Sequence, residues 1–416
     1  MFHKGKLIVF VGSALIVLYG VSAAFYGKVV AKDEAYKELS VFIDALKKIN
    51  DDYVEPPDLD KVQEGALRGL IESLDPYSSF LTKDQIDGIE KRKAAGKAGI
   101  GVVLSKRTEL IYVVSTRQNG PAAEAGIRAG DFIIVVDGLN VEDKSIPEVE
   151  SLLRGPEGSS VKVSVFRSSR TKPVEFELAR RPEVVPPVGS KMLDGGVGLL
   201  EISSLARPTI DQARVKLRTL ISAGAQKVLL DLRGCADGAV GDGAELANFF
   251  LQSGLVCYSR NHAGEQVEEV KVKPESFITD LPLALLIDGT TAGAAEVAAG
   301  AIKDAHRGTV VGERSFGLGS SQSRFTLKNG ALLILSTAKI FTPSGRMIQD
   351  ENPRQAGIRP DLQAPDDDRH QDLLVESYYD DKDEVAKYKV FREKIAKEQL
   401  DRALEVLARV PLKKAA

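Results

Sequence analysis

Two glycine-rich stretches hold the residues closest to chemistry in this 416-residue chain: "GTTAGAAEVAAG" from Gly289 to Gly300, and "GERSFGLGSSQ" from Gly312 to Gln322. The first reads as a tight turn ending an apolar strand and opening a helix of small residues. The second reads as a loop returning to the same place. Such a pair usually frames an active site. Hydroxyls stand at Thr290, Thr291, Ser315, Ser320 and Ser321, yet none has a plausible base beside it in sequence. In glycine-rich turns such residues are mostly turn formers and caps. His262 and His306 are the only histidines nearby, and His306 in "KDAHRG" ends a helix, where capping explains it better than base catalysis. No His/Asp/Glu group has ligand spacing, so neither a metal nor a cofactor is expected.

The elements that must position these stretches follow from periodicity. From Gly196 to about Asp361, apolar runs "VGLLEIS", "KVLLDLR", "LALLID", "TVVGE" and "ALLILSTA" are interspersed with helical stretches at Thr209–Ser222, Asp242–Leu251 and Ala292–Asp304. That pattern predicts a largely parallel sheet covered on both faces. From Glu34 to about Lys93 the pattern is helical, with Leu39, Phe42, Ile43, Leu46 and Ile49 on one stripe. Asp75-Pro76 stops the last long helix, and Thr82 with Gln85 forms a capping box for another. From Gly96 to Arg181 short strands and turns take over, and the proline-rich "RPEVVPPV" that follows reads as a stiff connector. Beyond Gln363 the chain is strongly charged, but Val390, Phe391, Ile395, Leu400, Leu404 and Leu407 make a stripe that predicts a packed helix.

The length allows roughly two or three domains, and the net charge of −3 excludes a general polyanion binder, so no nucleic acid is expected. Cys235 and Cys257 fit no zinc or redox spacing; an oxidising compartment would let them pair, and two buried thiols are equally consistent. After His3, Lys4 and Lys6, the segment from Leu7 to Gly27 carries no charge and is long enough to span a bilayer as a helix. The preceding lysines place the rest of the chain outside the cytoplasm. A cleaved signal peptide ending near Val21-Ser22-Ala23 is the rival reading; the length of the run favours the anchor.

The β module resembles a PDZ domain. "GIGVVL" matches the loop whose N–H groups capture a peptide's terminal carboxylate before the peptide pairs with a sheet edge, which makes Gly99, Ile100, Gly101, Val102 and Val103 the candidate peptide-binding residues. "GPAAEAGIRAGDFIIVVDG" completes the signature. With it, "LDPYSSFLT", "LLDLRGCADG", the two stretches quoted first, "LSTAKIFTPSGRMIQ" and "GIRPD" follow the order seen in the carboxyl-terminal processing peptidases, or tail-specific proteases.

The resemblance, which covers about Ala35 to Pro365, together with the residue patterns at the two ends implies an α/β and α+β multidomain chain. Its expected parts are a transmembrane anchor or signal peptide at 1–28, a helical module at 34–95, a PDZ domain at 96–181, a ClpP/crotonase-like protease core at 188–365 and a charged helical segment at 366–416. The family uses a serine activated by a lysine, assisted by a glutamine. The serine position, three residues before Glu296, is Gly293 here; the lysine position, between Gly317 and Gly319, is Leu318; the glutamine survives as Gln322. The family's oxyanion loop "DLRxNPGG" reads Asp231 to Gly238 with Asp237 in place of the first paired glycine, so Asp237, Gly238 and Ala294 are the oxyanion equivalents. An inward carboxylate at Asp237 would repel a developing oxyanion.

Three departures at one site imply a catalytically silent member of a serine-type peptidase family. Such a chain would sit in the cell envelope, bind C-terminal peptides, and act as adaptor or as regulator of an active relative, in a homodimer or mixed oligomer. The rival expectation is an active endopeptidase whose nucleophile has moved to Thr290, Thr291 or Ser320.

Overall fold

The computed structural model describes residues 39–107, 110–167, 172–350, 352, 355–365 and 384–410. The described residues fall into two compact units, divided between Gly69 and Leu70. The apolar segment at Leu7–Gly27 lies outside the described residues, and among those no helix is long and apolar enough to cross a membrane. Helices α1 (39–52) and α2 (Leu59–Glu72) are amphipathic, and α2 buries none of its residues.

A short strand, β1 (Ser79–Leu81), precedes α3 (Lys83–Ala95). The capping box at its start is formed: Gln85 N–H donates to Thr82 Oγ1 at 3.2 Å, and Thr82 N–H donates to Gln85 Oε1 at 2.8 Å.

The β module follows. Strands β2 (Ala98–Gly99) and β9 (Arg181–Pro182) pair with each other and close its base. Its main sheet runs β3 (Val102–Arg107), β4 (Leu110–Thr116), β5 (Phe132–Val136), β7 (Ser160–Phe166), β8 (Val174–Ala179), with β6 (Leu139–Asn140) on β5. Helices α4 (Pro121–Ala125) and α5 (Ile146–Leu153) complete the module. Alternation buries Ile111, Val113, Ile133, Val161 and Val163 around Ile100 and Val149, a core of the module's own. Within this sheet β3 is an edge strand.

The larger core is a six-stranded sheet in the order β10 (Gly189–Leu193), β11 (Val197–Glu201), β12 (Lys227–Asp231), β15 (Leu283–Ile287), β16 (Thr309–Gly312), β19 (Leu362–Gln363). All but β10 run parallel. Strands β12 and β15 are buried from end to end, which is why they read as unbroken apolar runs. Helices α6 (Thr209–Ser222), α7 (Val240–Asn248) and α8 (Ala294–Asp304) belong to the cluster on one face. The other face is covered by α9 (Glu384–Arg409), through Leu400, Ala403, Leu404 and Leu407.

The run "ALLILSTA" does not join the parallel sheet. It lies in β18 (Leu332–Phe341), which pairs antiparallel with β1, β13 (Leu255–Arg260) and β17 (Ser320–Thr326); β14 (Gln266–Lys271) extends that sheet from β13. Hairpin pairing with β17 across a short turn decides this, and apolar content alone does not distinguish the two sheets.

Candidate active site

Strand β15 ends at Asp288, and this carboxylate shapes the turn after it. Its Oδ1 accepts from the Thr290 hydroxyl at 2.6 Å and from the N–H groups of Thr290 (3.0 Å) and Gly234 (3.3 Å). Its Oδ2 accepts from Arg392 of α9 at 2.7 Å. Burial alone would raise this carboxyl, but Arg392 and the donors from Thr290 and Gly234 hold it below the usual range. It is therefore a poor base for the neighbouring threonines. The Thr291 hydroxyl is buried, donating to the Leu232 carbonyl and accepting from Asp288 N–H.

Gly293 then opens α8 with φ 60° and ψ −115°. That left-handed conformation strains any residue with a Cβ, as strand-to-helix turns that expose a nucleophile do. A Cβ built at Gly293 would lie 3.7 Å from Leu318 Cδ2, ordinary contact distance. Residues 293 and 318, twenty-five apart in sequence, are thus side by side, with a hydrogen on one and an isobutyl group on the other.

Glu296 holds the two stretches together. Fully buried, its Oε2 accepts from the N–H groups of Gly293 (2.9 Å) and Leu318 (2.7 Å). Its Oε1 accepts from Gly317 N–H at 2.7 Å and from the Ser315 hydroxyl. Burial pushes this carboxyl up to about 7, against the pull of those four donors. The folded chain keeps a proton there that the unfolded chain, with an ordinary value of 4.5, has released. Stability from this group is therefore complete below about pH 4.5 and lost as pH rises through about 7, a change of about 3 kcal/mol. Thermal melts near pH 5 and near pH 8 should differ accordingly, and Glu296→Gln should flatten the difference.

The oxyanion-loop equivalents lie alongside. Ala294 is buried in the first turn of α8, and Gly238 runs so close to Leu205 that a Cβ would stand 2.7 Å from the leucine's own. Asp237 does not present a bare carboxylate. Its Oδ1 accepts from Leu205 N–H at 2.9 Å, and its Oδ2 accepts from the Ser204 hydroxyl and from Arg117 of the β module, each at 2.8 Å. The repulsion expected of an unpaired acid at this position is offset by that guanidinium. Gln322 lies on the exposed side of β17, where its Nε2 donates to Ser320 Oγ at 2.8 Å. His262 and His306 are exposed. Among the described residues no cluster of His, Cys, Asp and Glu could hold a metal ion.

The peptide-loop residues form the rim of the β module. Ile100 is buried in its core, Val102 packs against that core, and Val103 faces the other way, toward Phe316, Ala236 and Ala292. Gly101 has φ 75°, and its carbonyl accepts from Arg117 N–H at 2.8 Å. A cavity of about 800 Å³ opens between this rim and the core, lined among others by Gly99, Gly101, Arg117, Gly120, Arg181 and Arg233.

In sequence Glu296 serves only as a landmark, and its structural work is hidden. The one available signal is that an acid inside "AAEVAAG" has nothing but buried surroundings to contact. Arg117 and Arg392 give no local signal at all, because their carboxylate partners lie 120 and 104 residues away in the chain.

Comparison with known proteins agrees with this architecture. Residues 196–364 match peptidase family S41, and residues 112–167 match the PDZ domain. A carboxy-terminal-processing protease of Bartonella bacilliformis is 31% identical over 335 residues, covering 80% of this chain and 76% of its own. The carboxy-terminal processing protease CtpA of Bacillus subtilis is 30% identical, covering 77% and 67%. Among solved structures, a photosystem II D1 C-terminal processing protease superposes with a TM-score of 0.65 at 25% identity, over 77% of this chain and 92% of that one. With its PDZ module beside an S41 core, this chain belongs to the carboxy-terminal processing protease family.

Proposed function

We propose that this chain is a catalytically silent member of its family, anchored in the cell envelope, that binds the C-terminal peptides of envelope proteins. It would hold or deliver them, or regulate an active relative through a homodimer or mixed oligomer. One observation carries the reading: Gly293 and Leu318 are in van der Waals reach of each other, so the places of nucleophile and base adjoin and contain neither a hydroxyl nor an amine. Nucleophilic catalysis by a serine needs both, within hydrogen-bond reach.

Support for peptide binding comes from the β module. Its β3 strand is an edge, preceded by the glycine loop at Gly99–Gly101, the arrangement that accepts an added peptide strand. Gly101 has φ 75°, where an L side chain is strained. Gly101→Asp should therefore abolish binding of a fluorescent peptide with an apolar C-terminal tail, at least about a hundredfold loss, since it adds a negative charge where a carboxylate must dock. Fluorescence anisotropy reads this, and unchanged affinity would count against peptide binding at this loop.

The rival reading, a relocated nucleophile, has one observation in its favour. Ser320 is the cross-strand neighbour of Lys339. However, Ser320 Oγ accepts from Gln322, and Thr290 and Thr291 are committed to Asp288 and Leu232. Alanine at Thr290, Thr291 and Ser320 separates the two readings if any cleavage is detected.

A further inference from the structure

We propose that Asp237 and Leu318, two positions where this chain departs from its family's catalytic pattern, form a latch that fixes the PDZ domain on the protease-like core. The inference is independent of whether the groove binds tails.

Asp237 is anchored on the core side by the Ser204 hydroxyl and Leu205 N–H. From there it reaches Arg117, whose backbone N–H bonds Gly101 in the PDZ rim. The ion pair is well shielded, its Arg117 and Asp237 side chains 19% and 18% exposed, so it is less screened than a surface pair. A glycine at 237 could make none of these contacts.

Leu318 adds an apolar counterpart. It packs with Val103 and Tyr112 of the PDZ sheet onto a buried cluster of Val114, Ala236, Ala292 and Phe316. The Tyr112 and Phe316 rings stack across the same junction at 5.7 Å between centroids. A lysine at 318 would bring a strongly hydrated ammonium into this patch, which disfavours closure. The changes that remove a nucleophile's partner and open the oxyanion loop to an acid therefore also supply domain contacts. A third tie runs through α9, where Arg128 of the PDZ domain lies 4.4 Å from the centre of the Tyr388 ring.

The latch predicts one fixed arrangement of the two domains. Nitroxide labels on Glu175→Cys of β8 and Arg218→Cys of α6, both exposed, report their separation in the full-length chain. The native thiols are buried, Cys257 pushed up to about 12, and do not compete for label. Pulsed dipolar spectroscopy should give a single narrow distance. Asp237→Gly with Leu318→Lys should widen that distribution about twofold or more, and Arg117→Gln, which leaves both core loops intact, should widen it less. A distribution already broad in the native chain overturns the proposal. So does a double variant that melts cooperatively yet stays as narrow as the native chain.

Discussion

Glu296→Ala is expected to destabilise the fold by about 4 kcal/mol or more, the largest loss from any single substitution in the site. The carboxylate is fully buried and accepts from three backbone N–H groups and one hydroxyl. Alanine removes all four acceptor contacts at once and leaves the donors in a dry pocket, each with its desolvation cost uncompensated. The damage is not local, because Glu296 joins the turn at Gly293 to the loop at Gly317–Leu318. Glu296→Gln keeps an acceptor oxygen but turns an NH₂ toward other donors, so an intermediate loss of about 2 kcal/mol is expected. Denaturant unfolding followed by far-UV circular dichroism ranks the three proteins. An alanine variant as stable as the native chain would remove Glu296 from the role given to it.

The second large effect concerns activity. Restoring the side chains with Gly293→Ser and Leu318→Lys should yield little or no peptide hydrolysis on its own. Adding Asp237→Gly should raise the rate about a hundredfold over the pair, the scale on which oxyanion stabilisation operates. The backbone at 293 still has the strained φ of 60°, so a serine would be presented as a nucleophile is, at a cost of about 1–3 kcal/mol. Lysine at 318 costs about 2 kcal/mol more, because it replaces a side chain packed against the apolar cluster of Val114, Ala236, Ala292 and Phe316. Asp237 then decides the outcome. While it is present, its carboxylate is tied to Ser204, Leu205 and Arg117, which holds the loop in this ion-paired arrangement instead of leaving it free to receive an oxyanion. Fragment mass spectrometry on an unstructured substrate with an apolar tail compares the pair with the triple variant. Equal rates would show that Asp237 is neutral to the chemistry.

These expectations rest partly on sequence and partly on what folding brings together. The apolar run of β15, the helix after it and the offset from residue 293 to residue 318 are legible directly, since strand, turn and helix are local and leave periodic marks. That Gly293 and Leu318 stand where the resemblance implies a serine and a lysine needs only the motifs and the count. The partner of Asp237 is not legible, because Arg117 lies 120 residues away. A carboxylate that reads as an obstacle to catalysis is, in the fold, an ion-paired contact between domains. Similarly, Asp288 and Arg392 meet across 104 residues through the packing of α9. The strand at 332–341 is recognisable as a strand, yet its sheet is set by pairing with β17, which composition does not encode.

Incubating the native full-length chain with an unstructured protein bearing an apolar C-terminal tail, and analysing bound and free material by mass spectrometry, is the most direct measurement. Retention of intact substrate, with no fragments above the level in buffer, is the predicted result. Accumulating fragments that vanish when Thr290, Thr291 or Ser320 is changed to alanine would contradict it.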